Sequence, residues 1–231
     1  MSQGSSNTGY PLAGSSKVST IFAGDHTAAD EGSFFVSTLA PTAATAVACT
    51  TQALADTNAV LALYNGQSAG GYNVYLRYIK MMMTTVAGTN TSLNYSMLAD
   101  SLLVKLTTLG TAIGSPANVN TSSASSSKLI GYGGVNVAAA QTAAGRRLGA
   151  GQVQGGLPVA FDEMIFEFGA VGMTANMVGT QTLVKRITVP CAPVILAPGW
   201  WFTLGLWGAS QAAAAATLGW EIGFIERPQG Q

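Results

Sequence analysis

LAPGWWFTLGLW, Leu196 to Trp207, sets three of the chain's four tryptophans in twelve residues with no charge among them. Three readings compete for it: a membrane span, an aromatic platform, or a buried strand. The uncharged run is longer still, since nothing between Arg186 and Glu221 carries a charge. A spanning helix needs about 20 predominantly apolar residues. Here Pro190, Pro193, Pro198, Gly199, Gly205 and Gly208 interrupt the run, and Pro198-Gly199 would break a helix at its middle. From Trp200 onward the pattern has period two. Trp200, Phe202, Leu204 and Leu206 share one face, while Trp201, Thr203, Gly205 and Trp207 lie on the other. Leu218, Trp220, Ile222 and Phe224 repeat the stripe in TLGWEIGFIER, after the connection GASQAAAAA. The two segments read as a core hairpin, not a membrane helix. A membrane β-barrel would want regular strands of about ten residues, which the first half of the chain does not supply.

Working outward, YNVYLRYIKMMMTTV (72–86) is the clearest strand, with LNYSMLAD as its expected hairpin partner across the turn AGTNTS. AFDEMIFEFGAV alternates, placing Met164, Phe166 and Phe168 on one face and Glu163, Ile165 and Glu167 on the other. QTLVKRITV and KLIGYGGVNVAA read as further strands. The glycine-rich GRRLGAGQVQGGLP reads as a connection, and residues 110–127 as a low-complexity polar loop. Residues 1–20 read as an extended arm, and MSQGSSNTGYPLAGSS has neither the basic start nor the apolar run of a secretory signal. At least seven strands, turn residues between them and no long amphipathic helix predict an all-β protein, an antiparallel sandwich or barrel. The absence of an internal repeat argues against a propeller or solenoid.

Charge is the compositional anomaly. Only 9% of the 231 residues are charged and they cancel to zero, against roughly 25% in an average soluble domain. Small and hydroxylated residues can wet such a surface, or neighbouring subunits can cover it. The second explanation is the one adopted. A neutral chain lacks the basic stripe of a nucleic-acid binder. Cys49 and Cys191 are far apart with no CxxC spacing; they could pair if oxidised, but two buried free thiols are the expectation.

No catalytic motif stands out. His26 is the only histidine, in GDHTAADEG, and carboxylates from one loop with a single imidazole make a poor metal site. Glu163 and Glu167 would lie about 13 Å apart along a strand, too far for a glycosidase pair. GAGQVQGG opens no helix and lacks a GK[ST] ending, so it is not a phosphate cradle. There is no GxSxG elbow. The expectation is a non-enzyme with no catalytic residue, cofactor or metal. The run Met81, Met82, Met83 must point at least one side chain away from its own core, a plausible subunit contact.

PVILAPGWWFTLGLW followed by GWEIGFIER resembles the closing strands of jelly-roll virion proteins of tailed bacteriophages: a hydrophobic strand, a Pro-Gly turn, aromatic strands and an ExGxIER-like finish. The resemblance covers about 40 of the 231 residues; Pro-Gly before an apolar strand also occurs in TNF-like and cupin jelly rolls. It implies an antiparallel β-sandwich of jelly-roll type, with the arm at 1–20 and a single domain at 21–231. It further implies a homotrimer on the capsid surface: a cement or decoration protein contacting the major capsid protein or other virion proteins, without nucleic acid or membrane. The alternative is a tail or head-fibre module binding host-surface glycan, for which Tyr132 and Tyr95 on loops would be the aromatics. The candidate subunit-interface residues are Trp201, Trp207, Met81, Met82 and Met83. The candidate core residues are Trp200, Phe202, Leu204, Trp220, Phe166 and Phe168.

Overall fold

In the computed structural model, residues 24–39, 45–47, 58–85, 93–101, 106–108, 110–137, 144–154, 162–169, 186–207 and 216–229 are described. The arm expected at 1–20 and Cys49 lie outside them. A short helix, α1 (Gly24–Asp30), precedes strands β1 (Phe34–Leu39), β2 (Thr45–Val47), β3 (Asn58–Asn65), β4 (Tyr72–Thr85) and β5 (Leu93–Asp100). Next come β6 (Leu106–Thr108), β7 (Thr111–Ala112), β8 (Ala117–Asn118), β9 (Leu129–Val137) and β10 (Arg146–Gln154). The chain then forms β11 (Glu163–Phe168), β12 (Arg186–Cys191), β13 (Val194–Leu196), β14 (Trp201–Trp207) and β15 (Ala216–Pro228). The first sheet runs β12-β11-β4-β15-β1-β8, with β13 beside β4 and β2 beside β15; the second runs β10-β5-β14-β3-β9-β6, with β7 beside β9. All pairings are antiparallel among the described residues except β11 with β12, which run parallel.

The two sheets pack face to face as a β-sandwich, and the period-two stripes are its filling. Phe202, Leu204 and Leu206 of the second sheet enter one core cluster with Leu218, Trp220, Ile222 and Phe224 of the first. Phe166 and Phe168 join them from β11; Phe168 meets Phe202 edge-on across the sandwich at 5.9 Å, and Tyr95 meets Phe166 at 5.2 Å. Such ring pairs add about 0.5–1.5 kcal/mol beyond their burial. Phe202, Leu204, Trp220, Phe166 and Phe168 are thus core residues. Trp200 is only half-buried: it sits ahead of β14, packs on the core from the rim, and carries the Arg146 guanidinium 5.8 Å from its ring centre.

Both expected hairpins are corrected. β14 and β15 do not pair; β14 lies between β3 and β5 in one sheet, β15 between β1 and β4 in the other, so their stripes face each other across the core. Likewise β4 and β5 belong to opposite sheets. Alternation identifies the inward residues of a strand, and a facing strand satisfies it as well as a paired one. The glycine-rich connection is also corrected, because residues 146–154 form β10 along β5. Its glycines have a steric reason: a Cβ on Gly151 would lie 3.0 Å from the Tyr95 ring, so the aromatic covers the bare backbone opposite it. His26 lies in α1, not in a loop.

The polar segment at 110–127 is held firmly. Asn118 Nδ2 donates to the Gly32 carbonyl at 2.7 Å and Ser125 Oγ to the same oxygen at 2.6 Å, while Asn120 Nδ2 donates to the Asp30 carbonyl at 3.1 Å. Asn and Ser side chains, which compete with regular structure by bonding nearby backbone, here bond the α1–β1 turn.

The turn inside LAPGWW carries the chain from the first sheet to the second. Trp200 N–H donates to the Ala197 carbonyl at 3.1 Å, and Gly199 has φ 79°, the arrangement of a type II turn with Pro198 at its second position. Asn65, fully buried at the end of β3, ties it down. Its main chain bonds Trp200 O (3.0 Å) and Gly199 N (2.8 Å); its Nδ2 donates to Tyr72 O and Leu196 O, both at 2.9 Å. Asn65→Ala strands the buried Leu196 carbonyl and removes the donor to the part-buried Tyr72 carbonyl, and is expected to cost roughly 1–3 kcal/mol in urea unfolding. Asn65→Asp is expected to cost at least as much, because a carboxylate cannot donate to either carbonyl. An Asp variant as stable as the wild type would contradict this role.

Candidate functional site

The outer face of the first sheet carries the main charged surface. On β4 the inward residues Val74 and Leu76 are followed by Ile79 and Met81, three residues on instead of two. The register against β15 shifts at the same point, Leu76 opposing Phe224 and Tyr78 opposing Gly223, so Arg77 is the extra residue of a β-bulge. The bulge turns both Arg77 and Tyr78 outward. Tyr78 lies over Gly223, where an added Cβ would come within 2.2 Å of the ring, and its hydroxyl donates to Glu221 Oε1 at 2.8 Å. Burial, and then Glu221, push the phenol well above its ordinary pKa, so it stays a neutral donor.

Around this pair the charges interlock. Arg77 Nε lies 2.8 Å from Asp25 Oδ1 on α1, and Arg227 lies 3.7 Å from Glu31. These contacts, with Ala28 packed beside Phe34 and Ile225, seat the helix on the sheet. On β11, Glu163 meets Lys80 at 3.2 Å and Arg186 at 2.7 Å. Burial acts to raise the Glu163 pKa, but hydrogen bonds and charge from Arg186 and Lys80 outweigh it and hold the group below the usual carboxylate value. Between α1 and the Phe168–Gly169 turn lies a cleft of 480 Å³, bordered by Asp25, Arg77, Tyr78, Lys80, Glu167 and Glu221. Among the described residues no group of three His, Cys, Asp or Glu side chains is placed to hold a metal, and no helix is long and apolar enough to cross a membrane.

The predicted interface residues scatter. Met81 is a correction: in phase with Ile79, it is fully buried in the core. Trp201 is another. It does lie on the outer face of the second sheet, but Tyr64 packs on it with ring centres 4.5 Å apart, Tyr132 and Leu106 join the same cluster, and only 8% of it is exposed. Its indole N–H has no acceptor among the described residues. Met82 is half-buried on the outer face of the first sheet, in register with Glu163. Trp207 is half-buried at the end of β14, opposite Asn94. The side chain of Met83 lies outside the described residues. Tyr132 and Tyr95 stand on strands β9 and β5, and Tyr95 packs against Phe166, so neither is a loop aromatic. Cys191 is a half-buried thiol whose pKa burial pushes up to about 12, leaving it protonated and unreactive. Among the described residues, the large apolar side chains exposed at the surface are Ile195 (54% exposed), Tyr72, Ile130 and Val119.

No family profile, curated protein or solved structure matches the chain.

Glu226 is a buried carboxylate with a raised pKa. It is 5% exposed at the end of β15; burial raises it, against hydrogen bonds from Ser127 Oγ (2.5 Å), the Lys128 backbone and Gln67. A raised folded-state pKa contributes stability below the unfolded value of 4.5 and loses it as pH climbs through the raised value. Glu163, with its lowered pKa, behaves oppositely and loses its contribution as pH falls below 4.5. Glu226→Gln is therefore expected to gain stability relative to the wild type as pH rises from about 4 to 7. Glu163→Gln should fall behind over the same interval. Thermal melts across that range check both signs; parallel profiles for the two variants would contradict them.

Proposed function

We propose that the chain is a structural virion protein, a capsid cement or decoration protein that works as a homotrimer and bridges capsid subunits. The observation that carries this reading is the pairing rule of the sandwich. Eight strands, β1, β3, β4, β5, β10, β11, β14 and β15, can be numbered one to eight in chain order, leaving β9, β12 and the short strands as additions. The first then pairs with the eighth, the second with the seventh, the third with the sixth and the fourth with the fifth. A single long hairpin rolled into two sheets generates that pattern, and it supports a jelly roll, an architecture recurrent in viral capsids. The step from architecture to role is analogy; composition adds to it. A chain with only 9% charged residues suits a protein whose faces are spent on neighbours.

Within this reading Met82 and Trp207 are the contact residues that remain from the sequence, joined by exposed Ile195 and Ile130. Bridging needs no cofactor and no chemistry. Many modest contacts, repeated by each copy over a shell, supply the strength. The glycan-binding alternative is not favoured, because the aromatics it would use are packed within the sheets.

Sedimentation equilibrium is expected to give three times the 23.5 kDa chain mass, with Trp207→Glu shifting the population toward single chains without lowering their melting temperature. In particles, the protein should be found on the head, and its loss should leave assembled heads that burst on heating or at low salt. A stable monomer, or heads of unchanged stability, would overturn the reading.

A further inference from the structure

The cleft on the outer face of the first sheet has an imbalance that the intramolecular contacts leave open. Of its two cations, Arg77 is matched by Asp25 and Lys80 by Glu163. Glu163 is shared with Arg186. Two carboxylates remain on opposite sides of the floor. Glu167 makes no hydrogen bond or ion pair among the described residues, and Glu221 receives only the Tyr78 hydroxyl, at one oxygen. The register places them two strands apart, Glu167 opposite Tyr78 and Glu221 opposite Lys80. Their Cα atoms are therefore about 12 Å apart from strand and residue spacing. Ile165 and the Phe168–Gly169 turn make an uncharged wall beside them, and the cleft spans 480 Å³.

We propose that this cleft receives an arginine side chain from a neighbouring protein, its guanidinium between Glu167 and Glu221 and its aliphatic stem along Ile165. The inference rests on the reading that the chain works by docking to neighbours, and it names the chemistry of one contact. Arginine fits better than lysine, because a planar fork of five donors can serve two separated carboxylates at once, whereas an ammonium is a point charge. The paired cations at the rim set the selectivity: an acidic or neutral segment would meet Arg77 and Lys80 already ion-paired to Asp25 and Glu163, with nothing to gain from the two unmatched carboxylates. The bulge at Arg77 is what opens the space, since it moves Tyr78 onto Gly223 and away from Glu167.

The test is a titration of the full chain with N-acetyl-arginine methylamide, followed by amide chemical shifts, beside its neutral isostere N-acetyl-citrulline methylamide. Saturable shifts confined to β11, β4 and β15 around the cleft are expected with arginine, and not with citrulline. They should weaken as ionic strength approaches about 0.5 M. Glu167→Gln, which breaks no hydrogen bond or ion pair among the described residues, should weaken binding roughly fivefold, and adding Glu221→Gln should weaken it further. Equal response to arginine and citrulline, shifts elsewhere, or full binding by the Glu167→Gln variant would overturn the proposal. None of these results bears on trimer mass or head stability, so this contact can fail while the structural role stands, and the reverse.

Discussion

The two-residue period of β15 is the constraint on which the rest of the structure depends. This strand pairs with β4 over almost its whole length and with β1 from Trp220 to Ile225, and Leu218, Trp220, Ile222 and Phe224 all point into the core. A slip of one residue against either neighbour would turn that stripe outward and bring Gly219, Glu221 and Gly223 inside. No such slip is tolerable with a carboxylate at the centre of the stripe. The β14 stripe faces it under the same rule, and Phe168 against Phe202 closes the gap between sheets. The helix, the polar excursion at 110–127 and the outer-face cleft are all placed by sheets whose registers these two strands set.

The same register explains the outer faces. Gly223 is small where Tyr78 needs to lie, and Glu221 stands two residues further along the same face to receive its hydroxyl. The bulge at Arg77 supplies the outward pair of side chains that an unbroken strand cannot present. On the outer face of the second sheet Tyr64, Trp201 and Tyr132 pack on one another, with Asp100 opposite Trp201 and Arg147 hydrogen-bonded to Ser96 on the same face. The first sheet carries interlocked charges around an open cleft, the second an aromatic cluster with polar neighbours.

The inward residues were legible from sequence alone. Phe166, Phe168, Phe202, Leu204 and Trp220 declare themselves by alternation, because burial on one face is a local property of a strand. Partner strands were not legible, because alternation says which side is inward and nothing about which sheet the strand joins. Hence β14 with β15, and β4 with β5, read as hairpins when each pair is divided between sheets. Glycines hid β10, since the feature that makes them acceptable, the Tyr95 ring, comes from another strand. The Met81 assignment failed on parity; counting from Ile79 places it inward. For the cleft a signal did exist: Val74, Leu76, Ile79 and Met81 skip one step in their period, and that skip marks the bulge. Trp201 faces outward as its parity requires, but the residues that cover it lie 137 and 69 positions earlier in Tyr64 and Tyr132, beyond the reach of any local pattern.

The division of β14 and β15 between opposite sheets is the central claim, and cross-strand nuclear Overhauser effects test it most directly. Backbone contacts are expected from Thr203 to Ala62 and Leu98, and from Glu221 to Lys80 and Thr38, with only side-chain contacts between the two stripes. Backbone contacts between Trp201–Trp207 and Leu218–Phe224 would mean a hairpin, and would contradict the sandwich together with the cleft built on it.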